Sequence, residues 1–279
     1  MKKVWFITGS SSGLGRILTE AVLLKGGLVA AAVRTPSKLQ DLEVKYKEKI
    51  LVLKLDVTSQ DQIQTAVSDT ISKFGRIDVL VNNAGFGVTG ATEAFTSEQV
   101  RDQFTANLLA PVEICREVVP YMRKQKSGRI LNLSSVGGLV ASIGLSIYQS
   151  AKFGLTGFSE ALAKETASLG IKVTSIEPGG MGTNWAGQSM SFAPHVEGYE
   201  GSIDARVEFF KSGKFIPKSD PAKVAQVIIE LVDNPEPPIH LVLGSDAVGI
   251  LKQAESARKE EYEKWMPVTL STDADSNKQ

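Results

Sequence analysis

Tyr148 and Lys152 stand four residues apart, so a helix through them would lay both side chains on one face, within contact range of each other. That spacing can turn a phenol into a general acid. A free Tyr hydroxyl titrates near about 10, and a neighbouring ammonium stabilises the phenolate and lowers that value. Tyr-x-x-x-Lys also arises by chance, so the pair needs support from other positions. Ser135, thirteen residues before Tyr148, could place a hydroxyl beside it. A glycine-rich turn, Thr8-Gly9-Ser10-Ser11-Ser12-Gly13-Leu14-Gly15, follows the first apolar run. Glycines there let backbone N–H groups approach a pyrophosphate at the positive end of a helix starting near Arg16. Its Gly-x-x-x-Gly-x-Gly spacing is neither the usual dinucleotide fingerprint nor a P-loop, and a turn without a ligand is an even alternative.

About twenty residues on, where an acid reading a ribose 2′-hydroxyl would end the second strand, the chain has Val33 and then Arg34. A guanidinium there suits the 2′-phosphate of NADP, and NADP(H) rather than NAD is the expected cofactor. A solvated loop charge is the plainer alternative. Asp56, before Val57, is placed to accept from an adenine amino group; helix capping is its other use, although Thr58 or Ser59 could do that.

These positions need a scaffold. Seven β-rich runs alternate with helical stretches: Val4 to Thr8, Leu28 to Val33, Ile50 to Val57, Val79 to Asn82, Arg129 to Ser134, Ile171 to Glu177 and Ile239 to Leu243. They are near-continuously apolar, as strands covered on both faces are. The amphipathic stretches Gln62 to Lys73, Glu98 to Lys124, Lys152 to Ser168 and Pro221 to Val232 are long enough for crossover helices. The fold class is therefore α/β: one doubly wound, Rossmann-type domain over residues 1–265, with about seven parallel strands flanked by helices. Ligands bind such sheets outside the carboxyl ends of the strands, where every motif above falls.

The stretch from Thr183 to Lys218 is long and carries Trp185, Met190, Phe192, Phe209, Phe210 and Phe215. A substrate lid over 184–218 is expected, against an ordinary helix pair packed on the core. Ile250 to Trp265 reads as helical and 266–279 as a polar tail.

With 279 residues, 42% apolar and 22% charged, and 31 basic against 31 acidic side chains, the chain has formal net charge zero. Neither a nucleic-acid nor an anionic-membrane surface has an electrostatic basis. Cys115 is the single cysteine, which excludes an internal disulfide and fits a reducing compartment. The apolar run Val4 to Ile7 is too short for a signal segment or a membrane span, so a soluble cytoplasmic protein is expected. His195 and His240 are the two histidines, and with no Cys cluster they form no credible zinc set.

The glycine turn, Asn82-Asn83-Ala84-Gly85, Asn107, Ser135, Tyr148, Lys152 and Pro178-Gly179, in this order at successive strand ends, resemble the short-chain dehydrogenase/reductase family over residues 1 to about 250. Phe86-Gly87, Leu131 to Ser135 and Glu177 to Gly179 are most similar to its NADP-linked carbonyl, retinol and 17β-hydroxysteroid reductases. The resemblance implies that Ser135 positions and polarises a carbonyl, that Tyr148 exchanges the proton, and that Lys152 holds the ribose hydroxyls while lowering the Tyr148 pKa. It implies cofactor contacts at Gly9, Ser11, Ser12, Gly13, Leu14 and Gly15, at Arg34, Asp56 and Val57, at Asn83, Ala84 and Gly85, at Tyr148 and Lys152, and at Pro178, Gly179, Met181 and Thr183. It also implies a homodimer or homotetramer. Pro111 lacks the N–H that would bond the Asn107 carbonyl, which frees that carbonyl for a water. In the family such a water links Asn to Lys in a proton relay; a plain helix kink is the alternative.

The implied activity is NADPH-dependent reduction of an apolar ketone or aldehyde, with a small carbonyl or alcohol as the partner molecule. Phe86, Val88, Leu139, Val140, Ile143, Leu145, Trp185 and Phe192 offer apolar lining and no evident anchor for an anionic substrate. A 3-ketoacyl reductase is the alternative enzyme, and a non-catalytic NADP sensor the alternative of another class; a sensor would be expected to lose Ser135, Tyr148 or Lys152.

Overall fold

The computed structural model describes residues 2–183, 190–212 and 216–274. β1 (Val4–Thr8), β2 (Leu28–Val33), β3 (Ile50–Lys54), β4 (Val79–Asn82), β6 (Gly128–Leu133), β7 (Ile171–Pro178) and β9 (His240–Leu243) pair in parallel in the order β3-β2-β1-β4-β6-β7-β9. The chain winds one way from β1 to β3 and the other way from β4 to β9. The crevice between the carboxyl ends of β1 and β4 is thus the topological switch point at which such sheets take ligands.

Alternation along the strands builds two cores. Ile7, Ala31, Val81 and Leu131 face α1 (Gly13–Leu24), α2 (Gln40–Tyr46) and α8 (Pro221–Asp233) through Leu14, Leu18, Leu42, Val224 and Ile228. Phe6, Ala30, Leu80 and Ile130 face α3 (Gln60–Phe74), α5 (Ala110–Gln125) and α6 (Ser146–Thr166) through Ile63, Val67, Ile114, Val118 and Leu162. With both faces covered, continuous apolar runs follow.

Several expected boundaries move, each for a local reason. β3 ends at Lys54 instead of Val57, because the Asp56 carboxylate takes the Thr58 N–H at 3.0 Å and the Thr58 hydroxyl at 2.8 Å, turning the chain toward α3. The expected helix from Glu98 to Lys124 is α4 (Ser97–Phe104) and α5, joined by a π-turn over Thr105–Leu109. There the Ala110 N–H reaches back five residues to the Thr105 carbonyl, just before Pro111, which has no N–H to continue an ordinary ladder. α6 starts at Ser146, so it includes Tyr148.

A second sheet of two three-residue strands, β5 (Gly87–Thr89) and β8 (Met190–Phe192), has no counterpart in the expected elements; runs so short carry no readable period. β8 and α7 (Ala205–Lys211) lie within the expected lid, whereas 184–189 and 213–215, with Trp185 and Phe215, fall outside the described residues. α9 (Ser245–Leu270) is longer than expected at both ends, and the start of the expected tail, 266–270, is helical. Among the described residues, no helix is long and apolar enough to cross a membrane.

Candidate active site

Ser135 leaves β6 in extended conformation and caps the short turn Val136–Gly138, its hydroxyl accepting the Gly137 N–H at 3.0 Å. The same hydroxyl is hydrogen-bonded to Tyr148, which α6 presents toward it. One turn along α6, Lys152 puts its Nζ 5.9 Å from the centre of the Tyr148 ring and donates to the Leu133 carbonyl at 2.6 Å. All three side chains thus meet at the carboxyl end of β6, with Tyr148 and Lys152 only 6% and 7% exposed.

That burial overturns one expectation. The Tyr148 hydroxyl is pushed up to about 12, because desolvation of the phenolate outweighs the hydrogen bond from Ser135. Lys152 is pushed down to about 8 by desolvation of its ammonium. The sequence shows that the ammonium is near the phenol but not that both are out of water. At neutral pH the phenol therefore keeps its proton, and a protonated phenol beside a serine hydroxyl is an arrangement able to donate a proton to an oxygen placed there.

Ser134 has a different task. Its hydroxyl lies 2.8 Å from the Thr156 hydroxyl and 3.2 Å from the Lys152 carbonyl, buried between β6 and α6. It fixes the helix to the strand.

Asn107 sits inside the π-turn, and its Nδ2 donates to the Phe86 carbonyl at 2.9 Å, as does Gln103 Nε2. Its Oδ1 is buried without a hydrogen-bond partner among the described residues. A Cβ on Gly85 would collide with that Oδ1 and lie 3.9 Å from Lys152 Nζ, so the missing side chain leaves polar space between the two. An orphaned acceptor there fits a water or a ligand hydroxyl. Sequence reasoning pointed to the Asn107 backbone carbonyl; the amide oxygen, visible only from burial, is a second acceptor.

At the switch point, Thr8 ties β1 to the segment after β4, its Oγ1 accepting the N–H groups of Asn83 at 2.9 Å and Ala84 at 3.0 Å. Asn83 Nδ2 returns a bond to the Thr8 carbonyl at 2.9 Å. Gly15 packs so closely that a Cβ would strike the Gly9 carbonyl, and Gly13 takes a φ of 52° that L side chains resist. Ser12 caps α1 without a side-chain hydrogen bond, leaving that N-terminus to an outside acceptor. Ser11 flanks this opening half-buried, whereas Leu14 points into the core. A Cβ on Gly13 would touch Thr183 at 3.5 Å, so the segment after β7 faces the glycine turn.

That segment is held from outside: Gly179 N–H donates to the Leu243 carbonyl at 2.8 Å, Gly180 N–H to Asp246 at 2.7 Å, and Gly182 N–H to the Ser219 carbonyl at 3.0 Å. Met181 pairs with Ser219 and Pro178 closes β7. Asp246, in the first turn of α9, is a clamp that sequence reasoning missed; an acid at a helix start was the available signal. Arg34 is exposed at the end of β2 and adds to the field holding Asp56 below the usual carboxylate range, after the Thr58 N–H and hydroxyl. Thr58 occupies one Asp56 oxygen, and Ser59 caps α3. Val57 follows, half-buried. Arg16 is bound to Glu20, Asp41 and the Lys38 carbonyl, so it is committed to protein partners where Arg34 has no ion pair among the described residues.

A family model described as short chain dehydrogenase matches residues 3–192. The chain belongs to the short-chain dehydrogenase/reductase family. Oxidoreductase BOA17 of Botryotinia fuckeliana is 42% identical over 273 residues, covering 98% of this chain and all of that protein. A 3-ketodihydrosphingosine reductase of Bacteroides thetaiotaomicron is 34% identical over 247 residues, 87% of this chain and 88% of that protein. The crystal structure of a short-chain dehydrogenase from Streptomyces avermitilis superposes with a TM-score of 0.92 at 36% identity, covering 98% of this chain and 100% of that one. Members of the family use nicotinamide cofactors. The open N-terminus of α1, the Gly13 to Thr183 approach and the orphaned Asn107 Oδ1 fit such a group.

Proposed function

We propose that this short-chain dehydrogenase/reductase is an NADPH-dependent reductase of apolar ketones or aldehydes. The observation that carries it is the cluster of half-buried Ser135 with buried Tyr148 and Lys152, whose phenol holds its proton at neutral pH and is bonded to the Ser135 hydroxyl at the end of β6. The α1 N-terminus, Asn83 to Gly85, Lys152 and Pro178 to Thr183 would hold the cofactor, which supplies a hydride when bound. Ser135 holds the carbonyl oxygen, and Tyr148 gives it a proton as negative charge develops there. Lys152 holds a ribose hydroxyl, and the acceptor on Asn107 carries the proton path back toward solvent. Burial favours the protonated phenol, the form that reduction uses. The name of the Bacteroides relative also points to a keto group being reduced.

Arg34 supports NADPH over NADH, being an exposed guanidinium at the end of β2 with no carboxylate paired to it among the described residues. The test is a steady-state assay of NADPH oxidation by purified protein with a panel of aliphatic and aromatic ketones. Turnover that is faster with NADPH than with NADH is expected; no oxidation with any ketone would count against the proposal, and in favour of a nucleotide sensor if NADPH still bound.

A further inference from the structure

Arg206 is a cation in a largely apolar setting, with no acid paired to it among the described residues. It lies on α7 in a shallow cleft, open to solvent, of about 550 Å³ lined by Ser142, Ile143, Ser202, Ala205, Arg206 and Phe209. The cleft adjoins the catalytic segment. Ser142 is fixed by Gln149, the neighbour of Tyr148, through its N–H at 2.7 Å and its hydroxyl at 2.9 Å. A Cβ on Gly144, four residues before Tyr148, would lie 3.9 Å from Arg206 Cγ.

The guanidinium stacks on Phe210 at 5.1 Å, which orients it but leaves its charge uncompensated. Among the described residues its buried Nε has no hydrogen-bond partner and no carboxylate pairs with the group. The acids close to it in sequence are engaged elsewhere. Asp204 holds His195 Nδ1 at 2.8 Å, and Glu208 lies 3.7 Å from Lys211. Around it, Ile143 and Phe209 are 60% and 41% exposed, an apolar surface beside a single charge. A half-buried, unpaired guanidinium is costly unless an anion meets it, and its planar fork matches a carboxylate.

We infer that Arg206 anchors the carboxylate of an oxo-carboxylic acid whose apolar chain runs from this cleft to the Ser135 and Tyr148 hydroxyls. This deepens the proposed carbonyl reduction and names its substrate class: a chain with a ketone at one position and a carboxylate at the other. One cation neutralises one carboxylate, whereas a phosphate dianion would be left half-paired.

Two measurements test it. The first compares kcat/KM for methyl ketones of four to twelve carbons with their ω-carboxylated counterparts, in the wild type and in Arg206→Gln and Arg206→Lys. The wild type should prefer the acid at one chain length. Arg206→Gln should cut the acid-to-neutral ratio at least tenfold, mainly through KM, and Arg206→Lys should retain part of it. A wild type that reduces neutral ketones equally well, or a ratio unchanged in Arg206→Gln, would overturn the inference while leaving the reductase proposal standing. The second is calorimetric titration of linear alkanoates and alkanols into NADPH-loaded wild-type protein, which needs no turnover. Tighter binding of alkanoates, weakened by salt, supports the anchor; equal affinity for the two overturns it.

Discussion

Lys152 Nζ donates to the Leu133 carbonyl at 2.6 Å, at the last residue of β6 before Ser134 and Ser135. The lysine therefore links the helix carrying the phenol to the strand end carrying the serine. It also keeps its charge in a place that burial penalises, titrating near 8 where a solvated lysine would be near about 10.5. A buried ammonium retained at that cost indicates a function for the charge.

Lys152 predicts a stability trend with a definite sign. Its folded pKa of about 8 lies below the unfolded value, so the unfolded chain binds more protons between those two values and wild-type stability gains as pH rises through that window. A shift of this size corresponds to roughly 3 kcal/mol. Denaturant unfolding of the wild type and Lys152→Met, from pH 7 to pH 10.5, should show the wild type gaining on the variant by that order. A flat difference would refute the buried charge. NADPH affinity of the wild type should fall as pH rises past about 8, and in Lys152→Met it should be weak and flat.

Adjacent serines should separate cleanly. Ser135→Ala removes the hydroxyl bonded to Tyr148 and should lower kcat by roughly 10²- to 10³-fold with little change in melting temperature. Ser134→Ala deletes a buried hydroxyl shared with Thr156 and the Lys152 carbonyl, and should cost about 1–2 kcal/mol of stability. Loss of kcat above tenfold in a folded Ser134→Ala would contradict this division.

The strand runs were legible because a sheet covered on both faces needs unbroken apolar residues, as in β1, where all five residues are buried. The glycine turn, Ser135, Tyr148, Lys152 and Pro178 to Thr183 could be placed at one edge because parallel topology brings strand ends together. Other features depend on contacts distant in sequence. The end of β3 is set by Thr58 bonding to Asp56, and the direction of the Tyr148 shift by how dry its pocket is. Arg206 was passed over because its isolation exists only once Asp204 has turned to His195.

Arg34 should set cofactor choice. A charge-assisted contact to a 2′-phosphate is worth about 1.5–3 kcal/mol, or roughly 10- to 100-fold in affinity. Arg34→Asp should therefore weaken NADPH by at least that factor and improve NADH, since a carboxylate there accepts from a 2′-hydroxyl and repels a phosphate. Competitive binding of both cofactors would measure the ratio. An unchanged ratio would leave Arg34 as a surface charge and point to another phosphate contact.

Tyr148→Phe isolates the proton from the rest of the site. The ring remains to fill its buried position and Lys152 keeps the Leu133 carbonyl, so fold and NADPH affinity should stay within about threefold of the wild type. The removed atom is the donor that the proposed reduction needs for the developing alkoxide, and kcat should fall by at least about 10³-fold. Because the wild-type phenol holds its proton up to about 12, the rate of reduction should show no loss attributable to Tyr148 ionisation below about pH 10. A reductive rate that falls off near neutral pH in the wild type and no longer does so in Tyr148→Phe would mean that the bound state depresses the phenol, and the burial argument for a protonated phenol would fail.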